Sequence, residues 1–300
     1  MTEPTTPLIA VFAATGSQGG AVVDALLSRG AGVRALLRDT GSEKARALAA
    51  RGVELAKVDI DDAATLSSAL DAVDAFWFMT TPPGGIQNAD TEGETNQGIA
   101  LADAAAAARV PHVVFSSVGG AERHSGVPHF ESKRLVEQHL AALGVASTVI
   151  RPVFFMENFF GFAPTVEEGT LVVRLPFADD VPMQMIAVRD IGTVAASALL
   201  EPSVLPAEIE IAGDELTGSG IAAAFAERAG MPARYEALPL AVLDGQDDLQ
   251  AMFRWFVETP AYQADIEATR RVAPDAATFR SWLDTIGYAP TSGQDENEAG

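Results

Sequence analysis

The 300-residue chain contains no cysteine. Disulfides, thiolate nucleophiles and Cys-ligated metals are therefore excluded, and an oxidising compartment is not required. Positive charge is scarce as well: 20 Lys and Arg stand against 41 Asp and Glu, a formal net charge of -21. Such a surface repels phosphate backbones and anionic headgroups, so neither nucleic acid nor a membrane surface is expected as a partner. Long apolar runs are missing too. The Ala-rich stretch ALADAAAAARV is broken by Asp103 and Arg109 and reads as a surface helix, well short of a membrane span. The opening MTEPTTPLIAVFAATG has no basic leader region and runs straight into a glycine turn, so it reads as a first strand, and a cytoplasmic location is expected.

What is present is a rhythm. Six short apolar runs, LIAVFAA, GVRALLR, VELAKVD, DAFWFMT, HVVFSSV and ASTVIRP, alternate with helical stretches at 19–29, 42–51, 62–71, 92–109 and 131–143. Runs that are apolar at successive positions suit strands buried on both faces, and strand–helix alternation is the sequence form of a parallel sheet. The fold class is α/β: a doubly wound parallel-sheet domain over 1–153, its sheet completed by about 184–213, with a smaller C-terminal α/β lobe over 154–183 and 214–290. Beyond Pro152, MQMIAVRDIGTVAASALL and EIEIAGDELTGSGIAAAFAERAG each read as one strand leading into a helix. RYEALP reads as a last strand, followed by helices at 246–257 and 275–286. The polar stretch 291–300 reads as a disordered tail.

Gly16 and Gly19 lie between the first strand and the first helix, where backbone N–H groups can receive a dinucleotide pyrophosphate without a side chain in the way. The three-glycine fingerprint is incomplete, because its first position is Ala13. At the end of the second run stands Arg38, where an NAD site would carry an acid; a guanidinium there favours the 2′-phosphate of NADP. Asp39 follows at once and would reverse that preference if it turned inward. Asp59, with Ile60, closes the third run where an adenine edge would lie.

In this order and spacing the segments AATGSQGG, VRALLRD, KVDIDD, VFSSVGG, PHFESKRLVEQHL, STVIRPVFFMENF, IAVRDIG and YQADIEATRRVAPDAATFRSWL resemble the NmrA-like family, atypical members of the short-chain dehydrogenase/reductase superfamily. The resemblance covers nearly the whole chain. It implies a Rossmann domain that binds NADP(H), with a small C-terminal lobe closing a cleft over the nicotinamide. It also implies one of two activities: an NADPH-dependent oxidoreductase acting on a small flat acceptor such as a quinone, or a non-catalytic NADP(H) redox sensor that works through a protein partner. Carried over by position, Gly16, Ser17, Gln18 and Gly19 hold the pyrophosphate and Arg38 the 2′-phosphate. Thr80, Thr81 and Pro82 line the nicotinamide side, Lys133 reaches its ribose, and Pro152, Val153, Phe154 and Phe155 border the ring. Ser116 or Ser117 would touch cofactor or substrate.

The superfamily's usual proton donor, a tyrosine four residues before the lysine, is absent. Tyr235, Tyr262 and Tyr288 are followed at the fourth position by Pro239, Ile266 and Ser292, and the residue four before Lys133 is His129. An imidazole is chemically able to exchange a proton near neutral pH. The same histidine also reads as a helix-start residue packed beneath the cofactor, and both readings stand at this stage. In FFMENFFGF the Phe and Met spacing reads as inter-lobe core more readily than as an aromatic substrate box, while Asn158 within it is expected to have a polar partner and to be a substrate contact. His112, His124 and His139 show no ligand spacing, and no metal is expected.

Overall fold

The computed structural model describes residues 6–85 and 89–290. The tail expected to be disordered lies outside them.

Seven parallel strands form the central sheet: β1 (Leu8–Phe12), β2 (Gly32–Leu37), β3 (Glu54–Lys57), β4 (Ala75–Met79), β5 (Val113–Ser116), β6 (Ser147–Pro152) and β11 (Glu208–Ile211), in the order β11-β6-β5-β4-β1-β2-β3. β1 pairs with β2 on one side and β4 on the other, so successive crossovers leave in opposite directions from this pair. A crevice opens there, at the carboxyl ends of the strands. β4 shows why the runs carry no alternation: Phe76 and Phe78 stack toward Phe115 on one face, Trp77 enters the core of the other, and all three are fully buried.

Helices α1 (Ser17–Ser28), α2 (Glu43–Ala50) and α6 (Val188–Leu200) cover one face; α3 (Ala63–Ala69), α4 (Thr91–Ala107) and α5 (Pro128–Leu143) cover the other. α5 begins three residues earlier than its sequence pattern suggests. Pro128 occupies its first turn, where a missing N–H costs nothing, and His129 is thereby inside the helix.

The C-terminal lobe differs more from expectation. Its core joins Phe154, Met156, Phe159, Phe225, Phe253 and Phe279, so the aromatic stretch is lobe core. Two small sheets supplement it, β7 (Phe154–Phe155), β10 (Met183–Ile186) and β12 (Asp214–Leu216) in one, and β8 (Thr165–Glu167), β9 (Thr170–Leu175) and β13 (Ala233–Ala237) in the other. The β8–β9 hairpin was not foreseen; it turns through Glu168 and Gly169, both at positive φ. The single strand expected in EIEIAGDEL is two. β11 extends the central sheet beside β6, whereas β12 runs antiparallel to β10, so within 184–213 only Glu208–Ile211 joins the central sheet. The helix expected from 275 starts at Phe279, because Thr278 caps it: α10 (Phe279–Thr285) follows α7 (Gly218–Ala229), α8 (Asp247–Glu258) and a short α9 (Ile266–Val272) capped by Asp265.

The lobe is fastened to the sheet domain by polar ties. Arg123, after β5, holds Glu210 of β11 through both terminal nitrogens (2.8 and 3.1 Å) and donates to Ala261 O at 2.8 Å. Gln184 pairs with the backbone of Ala264 as donor (3.1 Å) and acceptor (2.9 Å).

α4 lies close against α5 because Gly98 presents no side chain. A Cβ there would stand 2.3 and 2.9 Å from the methyls of Val136, a stiff and fully buried residue. Gly98→Val should therefore lower unfolding free energy by about 2–3 kcal/mol, overpacking outweighing any gain from replacing a helical glycine. Urea unfolding of wild type and variant measures it; an unchanged midpoint would contradict the close approach.

Candidate functional site

The first half of the site is the turn into α1. Ala13 takes the left-handed conformation (φ 52°) that the missing glycine would have supplied, and its carbonyl accepts from Gly16 N at 2.9 Å. Gly19 then seats against that turn: a Cβ on it would lie 2.3 Å from Ala13 O. Side-chain oxygens of Ser42, Asp62 and Asp90 cap α2, α3 and α4. Among the described α-helices, α1 alone has neither a side-chain acceptor nor an acid in its first turn. Its free N–H groups and the positive end of its dipole suit an anion. Gln18 is buried and accepts from Ser116 Oγ at 2.7 Å, joining the turn to the end of β5 across β4. Ser117 Oγ, one residue on, is buried with no hydrogen-bond partner among the described residues. A bound ligand or an ordered water is the usual partner of such an orphan.

Around the crevice the other expected residues fall as follows. Arg38 is exposed at the end of β2 and makes no ion pair with the described residues. Asp39 is occupied: its carboxylate accepts from Gly41 N at 2.8 Å. Asp59 is exposed and accepts from Asp61 N at 3.1 Å, while Ile60 packs on the core of the α3–α5 face. Thr81 is exposed, Pro82 is buried, and Pro152, Val153 and Phe154 are buried with Phe155 half-buried. Asn158 departs from expectation. It is exposed, and only its carbonyl is engaged, by Gly161 N (2.9 Å) and Phe162 N (3.1 Å). The polar group held among the aromatics is instead Glu157, whose carboxylate accepts from Val188 N at the start of α6 (3.0 Å) and from Trp282 Nε1 (3.1 Å). Burial pushes its carboxyl above the usual range.

The second half of the site lies on α5. The Lys133 ammonium donates to Thr80 O at 2.7 Å, to Thr80 Oγ1 at 3.2 Å and to Glu94 Oε1 at 2.5 Å, which uses all three of its protons. Glu94, from the first turn of α4, is fully buried. It also accepts from Thr80 Oγ1 (2.9 Å) and Ser132 Oγ (2.5 Å). Thr80 is fully buried inside this network. One turn before Lys133, His129 is buried with Nδ1 2.8 and 2.9 Å from the two oxygens of Asp248, near the start of α8. Neither Glu94 nor Asp248 is signalled by the sequence. Each is one acid among many until the fold brings it to α5.

The remaining histidines serve elsewhere. His112 is buried with Nε2 3.1 Å from Thr148 Oγ1, and His139 reaches Asp103 at 2.7 Å on the surface. Among the described residues no three His, Asp or Glu are placed to hold a metal, and no helix is long and apolar enough to cross a membrane.

Sheet order, crevice and glycine turn together define a Rossmann-type nucleotide-binding protein. The sequence model of the NmrA-like family matches residues 5–285, and the chain belongs to that family. It is similar to the NAD(P)H azoreductase of Xenophilus azovorans, with 34% identity over 237 residues, 78% of each chain. Among solved structures it resembles the NADPH-dependent quinone oxidoreductase QOR2 of Escherichia coli complexed with NADPH (TM-score 0.77, 22% identity, 93% of this chain and 100% of that one). It is also similar to NmrA, a negative transcriptional regulator, in complex with NADP (TM-score 0.77, 20% identity, 94% and 95%).

Two predictions concern charge. Glu94→Gln leaves the buried Lys133 ammonium without a counter-charge and should cost about 3–5 kcal/mol in urea unfolding, with the double variant Glu94→Gln/Lys133→Met recovering much of it. Equal losses in single and double variants would refute the pairing. Burial also holds the His112 imidazole below its ordinary value of 6.5. The unfolded chain takes up that proton as pH falls through about 6.5 and the folded chain does not, so stability should fall on the acid side of that value. His112→Asn should flatten this part of the stability–pH curve.

Proposed function

We propose that this NmrA-like oxidoreductase uses NADPH to reduce a small, flat, apolar acceptor such as a quinone. The observation that carries the reading is the uncapped start of α1 beside a guanidinium, Arg38, whose neighbouring acid is already spent on its own turn. The turn Gly16 to Gly19 would receive the pyrophosphate on the N–H groups of Ser17, Gln18 and Gly19, Arg38 would take the 2′-phosphate, and Asp59 with Ile60 the adenine edge. Lys133 would take a ribose hydroxyl in exchange for its longest contact, the 3.2 Å one to Thr80 Oγ1. Thr81, Pro82 and the segment Pro152 to Phe155 would border the ring, and the orphaned Ser117 hydroxyl would donate to cofactor or acceptor.

When bound, NADPH supplies a hydride. The protein must then do three things: hold the acceptor, keep bulk water out and provide one proton. No tyrosine stands four residues before Lys133 to give it, and His129, which occupies that position one turn away on α5, would be the donor. A quinone demands little of that donor, because the oxyanion it leaves is a stable phenolate. The similarity to an azoreductase fits the same requirement for a flat acceptor that takes two electrons.

Titration with NADPH and NADH, followed by absorbance assays with quinones, azo dyes and small ketones, tests the proposal. Quinone or azo turnover with little on ketones is expected. Binding without turnover would favour a sensor, and no binding would reject both. Arg38→Ala should weaken NADPH binding by about 10- to 100-fold, the loss of a charge-assisted contact, and leave NADH nearly unchanged.

A further inference from the structure

We propose that Asp248 is the positioning residue for His129, reaching from the C-terminal lobe to fix which imidazole nitrogen exchanges the proton. This rests on the reductase reading and names the part of the site that the lobe contributes.

The geometry is specific. Both Asp248 oxygens lie within 2.9 Å of His129 Nδ1, and Oδ1 also accepts from the backbone N–H of His129 at 3.3 Å. That N–H is in the first turn of α5, and Asp248 is itself in the first turn of α8. One carboxylate therefore sits at the positive ends of two helices, where negative charge is favoured. It is buried, with 6% of its surface exposed.

A carboxylate only accepts, so Nδ1 must carry hydrogen. Nε2 is then an acceptor in the neutral ring and the proton donor in the imidazolium. It makes no hydrogen bond among the described residues. Phe130 meets Trp255 of α8 edge-on (5.3 Å between centroids) and Arg123 lies over the same indole, so the start of α5 and α8 are docked as a unit.

The charged groups near His129 are few. Lys133, its neighbour one turn along α5, is neutralised by Glu94 from α4; Glu131 is paired with Arg134. Asp247 on α8 is exposed. Asp248 is the one carboxylate touching the ring among the described residues.

In the proposed step the acceptor takes hydride with its electron pair, and the Nε2–H bond breaks to give it one proton. His129 is left neutral and regains a proton from solvent. The sum is one acceptor, one NADPH and one proton giving the reduced acceptor and NADP.

The test has two readouts. In cofactor-free protein, nitrogen NMR of the imidazole should show His129 protonated at Nδ1, and Asp248→Ala should shift it toward the Nε2–H form. In steady-state assays with a quinone, Asp248→Asn should lower kcat by about two- to fivefold, a modest loss because the quinone oxyanion needs little proton assistance. It should also move the alkaline fall of the pH profile to lower pH, with NADPH affinity within about twofold, since general-acid loss leaves binding intact. His129→Gln should abolish that fall, and adding Asp248→Asn to it should cost nothing more. Additive losses, an unmoved pH profile, or an Nε2–H tautomer in the wild type would each overturn the role of Asp248 while leaving the reductase intact. Failure of the wild type to reduce any acceptor would overturn both. Asp248→Glu, which keeps the charge and the acceptor atoms, should retain the pH profile where Asp248→Asn does not, separating a proton role from a packing one.

Discussion

The buried pair of Lys133 and Glu94 fixes the distance between three elements at once. The ammonium takes the Thr80 carbonyl just past β4, the carboxylate comes from the first turn of α4, and both meet on α5. Removing two charges from water costs several kcal/mol per ion unless every lone pair and proton is matched. Here Thr80 and Ser132 complete the matching. The pair is weak as a source of net stability and strong as a ruler. It sets where α5 lies over the sheet, and therefore where His129 stands relative to the crevice.

α5 is also the place where the two lobes meet. Its middle belongs to the core against β5 and β6, through Val136 and Leu140, while its first turn belongs to the C-terminal lobe, through Val127 and Phe130. A helix shared in this way transmits the seating of α8 directly to the site. Arg123, bound to Glu210 and to the carbonyl of Ala261, adds a second connection.

The central domain was legible because its determinants are local. Strands buried on both faces announce themselves as unbroken apolar runs, and the turn into α1 by glycines at fixed offsets from a strand. The C-terminal lobe was less so. Its β8–β9 hairpin turns on Glu168 and Gly169, without the usual Asn-Gly or Asp-Gly signal. The split of β11 from β12 depends on Gly213, where a Cβ would stand 2.5 Å from Ala277 O, a contact made by chain far away in sequence. The same distance hid half of the site. Glu94 is one of two acids in an ordinary helix start, and Asp248 one of two in another; nothing in either segment says which will be buried. Gly98, one turn after Glu94 and on the same face, is the nearest thing to a signal, since it marks where α4 touches its neighbour. The sequence singled out Lys133 and His129, but not the acids that pair with them.

Those partners change what the missing tyrosine means. With an unpaired lysine beside it, an imidazole would be discouraged from carrying a proton, and His129 would read as a relic of helix packing. The fold instead spends the lysine's charge on Glu94 and gives the histidine a carboxylate of its own. Two adjacent turns of one helix thereby hold a neutralised cation and an imidazole with a defined tautomer. A phenol activated by a lysine and an imidazole oriented by an aspartate are different solutions to the supply of one proton, and the buried pairs on α5 suit the second.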